Sequence, residues 1–141
     1  MAEPLAVWHT EHINFGRLLD LLETQVVAFH GGERPDYDVM SNVLYYLRSF
    51  ADRYHHPRED AAFARLVDRD PGMQLVINRL LQEHRVIATA GEQFFRHLKE
   101  VEAGVMLPRA TVEATPRLTL CTIVTISRPR SGTLCLVPRN C

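Results

Sequence analysis

Three stretches of the chain repeat their apolar residues every three or four positions, and this spacing restricts each stretch to an amphipathic α-helix. The stretches cover residues 5–29, about 39–68, and 70 to about 101 or 104, with short polar segments between them. Helices joined by short links run antiparallel to their neighbours and bury their apolar stripes against one another. We therefore predict an all-α, up-down helical bundle, which a fourth helix normally closes.

Residues at the ends of the stretches support these boundaries. Gly31 and Gly32 follow the first stretch, as glycines commonly do at the C-terminus of a helix. Asp70 and Pro71 open the third stretch, where an aspartate caps a helix well and proline suits the first turn. Pro57 lies inside the second stretch, and because its ring removes one hydrogen bond we expect a kink there.

Four polar residues occupy positions that apolar residues would otherwise fill in these stripes. They are His12 in the first helix, His55 and Glu59 in the second, and His84 in the third. Imidazole nitrogens and a carboxylate from three helices suit a divalent transition metal. Burying such groups without a partner costs free energy, so we predict that all four ligate a metal.

A metal-free interpretation stays open at this point. A single histidine in an apolar stripe is more often a hydrogen-bonded core residue, and a His–Glu pair four residues apart also occurs on solvated helix faces. His9 is a second candidate on the first helix, although His12 leads the apolar stripe. We interpret His9, His30 and His97 as surface or boundary residues.

The register of the second helix is also open. His56 and Asp60 repeat the spacing of His55 and Glu59 one residue later in the sequence. The apolar stripe that passes through Ala51 continues onto His55 and Glu59, and it therefore favours that pair.

Three strings together resemble the hemerythrin-like, or HHE cation-binding, domain. They are EHINF at Glu11–Phe15, HHPREDAAF at His55–Phe63 and QEHR at Gln82–Arg85. The resemblance covers about residues 5–113. It implies a four-helix bundle with a non-haem di-iron site, in a family that binds or senses oxygen, handles nitric oxide or peroxide, stores iron or helps to repair iron–sulfur centres.

The resemblance also assigns roles by position. It implies that His12 is the first-helix ligand, that His55 and Glu59 are the second-helix pair with Glu59 bridging two irons, and that His84 is the third-helix ligand. Position 88 holds an alanine, so the chain resembles the variant with one third-helix histidine and a second His-x-x-x-Glu pair on the fourth helix.

That second pair is absent, because no histidine follows His97 and no acidic residue follows Glu113. Residues 1–113 hold 12 basic and 17 acidic side chains, a net charge of −5, whereas residues 114–141 hold four arginines and all three cysteines. We divide the chain into a helical domain, 1–113, and an atypical tail, 114–141. Our hypothesis is that the tail results from a frameshift in the coding sequence of a fourth helix, because the codons of the tail, read in another frame, are compatible with a histidine-rich sequence. The alternative is a natural tail that has diverged.

From these observations we expect a hemerythrin-like protein that binds oxygen, peroxide or nitric oxide, or handles iron, and that binds or senses its ligand rather than turning over a substrate. With the fourth-helix ligands missing, two irons, one metal or none are all open outcomes. A mononuclear site and a metal-free helical interaction module are the alternatives, and an apolar face without its fourth helix favours a homodimer.

Composition excludes other classes. The net charge of −1 argues against nucleic-acid binding, and no apolar run is long enough for a membrane span. The N-terminus lacks the basic and apolar segments of a secretory signal, and residues 1–113 contain no cysteine. We therefore expect a cytoplasmic protein.

Overall fold

The computed structural model describes residues 3–106 and 108, and nearly all of these residues are helical. Helix α1 spans Glu3–His30, and a second continuous rod comprises α2 (Tyr37–Tyr46), a π-helix (Leu47–His55) and α3 (His56–Arg69). A 3₁₀ turn, Pro71–Met73, leads into α4, Gln74–Glu102. The all-α prediction is confirmed, with three long helices and no strand in the described residues. The predicted fourth-helix region and the tail, 114–141, lie outside them.

The predicted end of the first helix is confirmed at its two glycines. Gly32 has a φ of +82°, a left-handed conformation that costs glycine little. This conformation turns the chain so that the Glu33 amide donates a hydrogen bond of 2.9 Å to the carbonyl of Ala28. The chain then reverses, and the Asp36 carboxylate accepts a hydrogen bond from the Val39 amide at the start of α2.

A π-helix precedes Pro57 at the place where we expected a kink. Proline has no amide hydrogen and its ring clashes with the carbonyl four residues earlier, so α-helical bonding cannot pass unbroken through this point. The His56 amide instead donates to the carbonyl of Ala51, five residues back, and Pro57 then lies in the first turn of α3. The wider turn accommodates the missing hydrogen bond and the ring of Pro57, and it lies directly beside the predicted metal ligands.

The start of α4 follows its predicted signals. Asp70 accepts a hydrogen bond of 3.0 Å from the Gly72 amide, and Pro71 opens the 3₁₀ turn that leads into the helix. Gly104, with a φ of +76°, ends α4 in the same way that Gly32 ends α1.

The core forms where α1 and α4 pack against α2. It contains the fully buried Leu22 and Leu44 and further side chains from all three helices: Val26, Met40, Val43, Phe94 and Leu98. The core holds one end of the helices together, and the polar residues of the predicted stripes cluster beyond Phe15 and Ala51. Among the helices of residues 3–106, none has the combination of length and apolar character that a membrane crossing requires.

Candidate metal centre

Glu59 lies at the centre of the predicted site and faces three imidazoles from three different helical segments. Its Oε1 is 3.7 Å from His12 Nε2, and its Oε2 is 3.5 Å from His55 Nε2 and 3.4 Å from His84 Nε2. The Nε2 atoms of His12 and His55 are 3.2 Å apart. The structure therefore brings all four predicted residues together, with the same nitrogen of each imidazole turned inward.

Carboxylates hold the outward-facing nitrogens of two of these rings. Glu11 Oε2 lies 2.5 Å from Nδ1 of His55, and Asp60 Oδ1 lies 2.7 Å from Nδ1 of His84. Because a carboxylate at neutral pH only accepts hydrogen bonds, Nδ1 carries the proton in both rings. A second proton on Nε2 faces Glu59 when these rings are charged, and once it leaves, the Nε2 lone pair is available to a metal while the carboxylate partner fixes the ring orientation.

Both registers of the second rod contribute to the site. His55 has no exposed surface, and His56 is only 9% exposed, although adjacent residues of a helix normally point about 100° apart. His55 faces Glu11 and His12 of α1, while the ring of His56 stacks on His84 of α4 at 4.1 Å between centroids. The favoured pair, His55 and Glu59, faces the cluster, and His56 and Asp60 reach His84 as well because this rod packs against helices on two sides.

The electrostatics of the site favour an ionised carboxylate at its centre. Burial by itself raises the pKa of Glu59, but hydrogen bonds from His55 and His84 outweigh burial and hold this pKa well below its usual range. Burial likewise lowers the pKa of His55 and of His84, but their carboxylate partners raise both above the ordinary value of 6.5. For His12 burial dominates and lowers the pKa.

The donor set fits a metal ion. One ligand atom from each of His12, His55 and Glu59 lies within 4.8 Å of the others, and His84 reaches the same carboxylate. Imidazole nitrogen and carboxylate oxygen are ligands that iron, zinc and copper accept. His12 keeps 41% of its side chain exposed, so the cluster is open on the side of α1.

Comparison with protein families matches residues 3–121 to the hemerythrin HHE cation-binding domain. The chain belongs to this family. Searches of curated proteins and of solved structures found no match. The resemblance seen in the sequence is thus confirmed over most of the chain, and membership of a cation-binding family agrees with the His/Glu cluster that the structure assembles.

In this hemerythrin-family chain, the residues that orient the imidazoles were not predicted from the sequence. Glu11 adjoins His12 but contacts His55, 44 residues away, and no sequence spacing indicates that contact. Asp60 was considered only as a metal ligand, and it instead holds His84. Asp52 lies four residues before His56, with 3.4 Å between Oδ1 and Nδ1, and this spacing is visible in the sequence. His9 and His30 are exposed, as predicted for surface residues.

Proposed function

We propose that this chain binds non-haem iron through His12, His55, Glu59 and His84, and that the bound iron serves to bind or sense oxygen, peroxide or nitric oxide. The observation that carries the proposal is the position of Glu59. A single buried carboxylate has imidazole nitrogens from three helical segments within 3.7 Å, and such a cluster is costly to bury unless it is paired or coordinated.

The geometry of Glu59 also supports a bridging role. The inward nitrogens of His12 and His55 lie next to each other, while His84 approaches the carboxylate from α4. A carboxylate with nitrogen donors around both of its oxygens would suit two metal ions, which His12, His55 and His84 would hold together with Glu59. We propose two irons on these grounds, with a single metal as the alternative that the missing fourth-helix pair favours.

Each residue of the cluster would have a distinct role in holding the iron. Bound iron supplies an open coordination position for a small ligand. Glu59 offers a negative charge, because the neighbouring imidazoles of His55 and His84 hold its pKa well below its usual range. Glu11 and Asp60 hold the Nδ1 protons of His55 and His84, and this orientation leaves their Nε2 atoms toward the centre.

An apolar cavity beside the cluster supports a small, uncharged ligand. Its volume is about 40 Å³ and it extends from His56 toward the core. Residues that line it include Phe15, Leu19, Ala51 and Gly91. Arg48 and Asp52 also border the cavity, but most of its lining is apolar, and it therefore suits oxygen or nitric oxide better than a large polar substrate.

Metal counting on the full chain tests the proposal. The protein is loaded with iron(II) without oxygen, passed through a desalting column and analysed for metal, with Glu59→Ala and Glu23→Ala as a matched pair. Glu23 is exposed on α1, so its variant controls for the loss of one carboxylate. We expect two irons per chain in the unmodified protein and in Glu23→Ala, and loss of iron in Glu59→Ala.

The alternatives predict different counts. About one metal per chain indicates the mononuclear site, and we expect zinc to compete with iron in that case. Metal-free protein after loading, with Glu59→Ala indistinguishable from the unmodified chain, would establish the metal-free interaction module and refute the proposal.

A further inference from the structure

We infer that the apolar cavity between α1, the second rod and α4 binds one small apolar gas molecule by itself, and that Gly91 keeps this binding site open. Three observations carry the inference: the empty space at Gly91, the apolar lining of the cavity and the partners of its polar residues. Binding of a gas to the metal-free protein is a property that the proposed function does not require. Only the role of this site beside a metal rests on the proposed function.

The empty space at Gly91 is the first observation. Gly91 is buried in α4, and protein interiors are normally packed closely around the backbone. A Cβ atom built on Gly91 nevertheless meets no atom of the described residues within 4 Å, apart from its chain neighbours and its own helix backbone. Glycine is also less favourable than alanine inside a helix. Helix formation therefore does not account for a glycine here, whereas a cavity that a side chain would fill does.

The lining of the cavity is the second observation. Most of it is apolar and comes from all three long helical segments, with Phe15, Leu19, Leu44, Leu47, Ala51 and Ile87. A buried water needs about two to four polar partners, which such a lining does not offer. One water-sized sphere takes about 10–15 Å³. The cavity volume of about 40 Å³ thus admits a single atom or a diatomic molecule and excludes larger ligands.

The partners of the polar residues at the border of the cavity are the third observation. The Arg48 guanidinium forms an ion pair with Glu92, which is 58% exposed, so this charge is compensated toward the surface. The same guanidinium lies over the ring of Phe95, 4.5 Å from its centroid. Asp52 and His56 approach each other, with 3.4 Å between Oδ1 and Nδ1. The border therefore does not call for an ionic occupant.

The ring of Phe15 connects this cavity to the predicted metal ligands. It lines the cavity and lies edge-on to the imidazoles of His12 and His55, with 6.1 and 5.0 Å between the ring centroids. A gas molecule in the cavity is therefore separated from the cluster on this side by a single aromatic ring. With the proposed function, the site holds oxygen or nitric oxide beside the metal.

Xenon binding to the metal-free full chain tests the inference, because xenon is an apolar atom that enters apolar cavities. Methyl signals of Leu44 and Ile87 in NMR spectra report on the cavity wall. We compare the unmodified chain with Gly91→Ala, which adds one methyl group at the empty space. Gly16→Ala is the matched control, because Gly16 is also a helical glycine whose Cβ meets no atom within 4 Å, but it does not line the cavity.

We expect increasing xenon pressure to shift the two methyl signals until they saturate, both in the unmodified chain and in Gly16→Ala, and this saturable shift to be lost in Gly91→Ala. Dissolved oxygen is paramagnetic, and it should broaden the same signals more in the first two proteins than in Gly91→Ala. If Gly91→Ala does not fold by circular dichroism, Ala51→Val, which adds methyl groups to the lining from the second rod, takes its place.

Three results would overturn the inference: no saturable shift in the unmodified chain, an unchanged shift in the cavity variant, or an equal loss in Gly16→Ala. None of them bears on iron binding, which metal counting tests separately. Conversely, a chain that stays metal-free after iron loading but binds xenon would overturn the proposed function and support the gas site by itself.

Discussion

Removing the Glu11 carboxylate tests whether the centre depends on residues that never touch the metal. Glu11 Oε2 lies 2.5 Å from Nδ1 of His55, whose side chain has no exposed surface. In Glu11→Ala this buried N–H loses its acceptor, and an unsatisfied buried donor costs about 1–3 kcal/mol of unfolding free energy. The neighbouring Arg58, 4.0 Å from the other Glu11 oxygen and partly exposed, adds little to that figure.

The effect on metal binding is separable from the effect on stability. Loss of a carboxylate partner of a ligating histidine lowers metal affinity by about 10–100-fold, because the ring loses both its orientation and part of its basicity. Glu11→Gln keeps an oxygen that can accept from His55 Nδ1 but lacks the charge. We expect this variant to recover most of the stability of the metal-free protein while its affinity remains reduced.

Urea unfolding of the metal-free protein and competition titration with a chelator measure the two quantities. Glu23→Ala on the exposed face of α1 is the control. If Glu11→Ala unfolds at the same urea concentration as Glu23→Ala and binds metal with equal affinity, the Glu11–His55 contact does not support the centre and our argument about ring orientation fails.

Two further predictions concern the bundle and its pH dependence. Leu22→Ala, at a fully buried core position, should cost about 2–5 kcal/mol in urea unfolding, whereas Leu75→Ala on the exposed face of α4 should cost almost nothing; equal costs would contradict the core described above. Because folding raises the pKa of His55 and of His84, protonation of these rings stabilises the metal-free protein fully below pH 6.5, and this contribution is lost as the pH rises through their pKa values in the folded protein. The lowered pKa of His12 has the opposite effect on the free energy of unfolding and cancels part of this contribution. Metal-loaded protein should show the reverse trend in thermal unfolding, because ligation needs neutral imidazoles, and parallel pH profiles of the two forms would refute ligation by these residues.

Much of the fold is a local property of the sequence. Apolar spacing, Gly32 after α1 and Asp70 before α4 each act within one or two turns, so the helix bounds follow from neighbouring residues. The same holds for the candidate ligands, because an imidazole or carboxylate in an apolar stripe is visible without coordinates. Family membership was accessible for the same reason, since its motifs are short strings at fixed positions within helices.

Only the tertiary structure decided how the second rod serves the site. An analysis of sequence periodicity assumes that a helix has one inner face. The pairs His55–Glu59 and His56–Asp60 were therefore treated as alternatives, only one of which could face the interior. The rod instead packs on α1 with one stripe and on α4 with the next, after a π-helix that the bonding constraint of Pro57 explains. Contacts between helices distant in sequence, such as that of Glu11 with His55, arise from this packing, and no spacing along the chain encodes them.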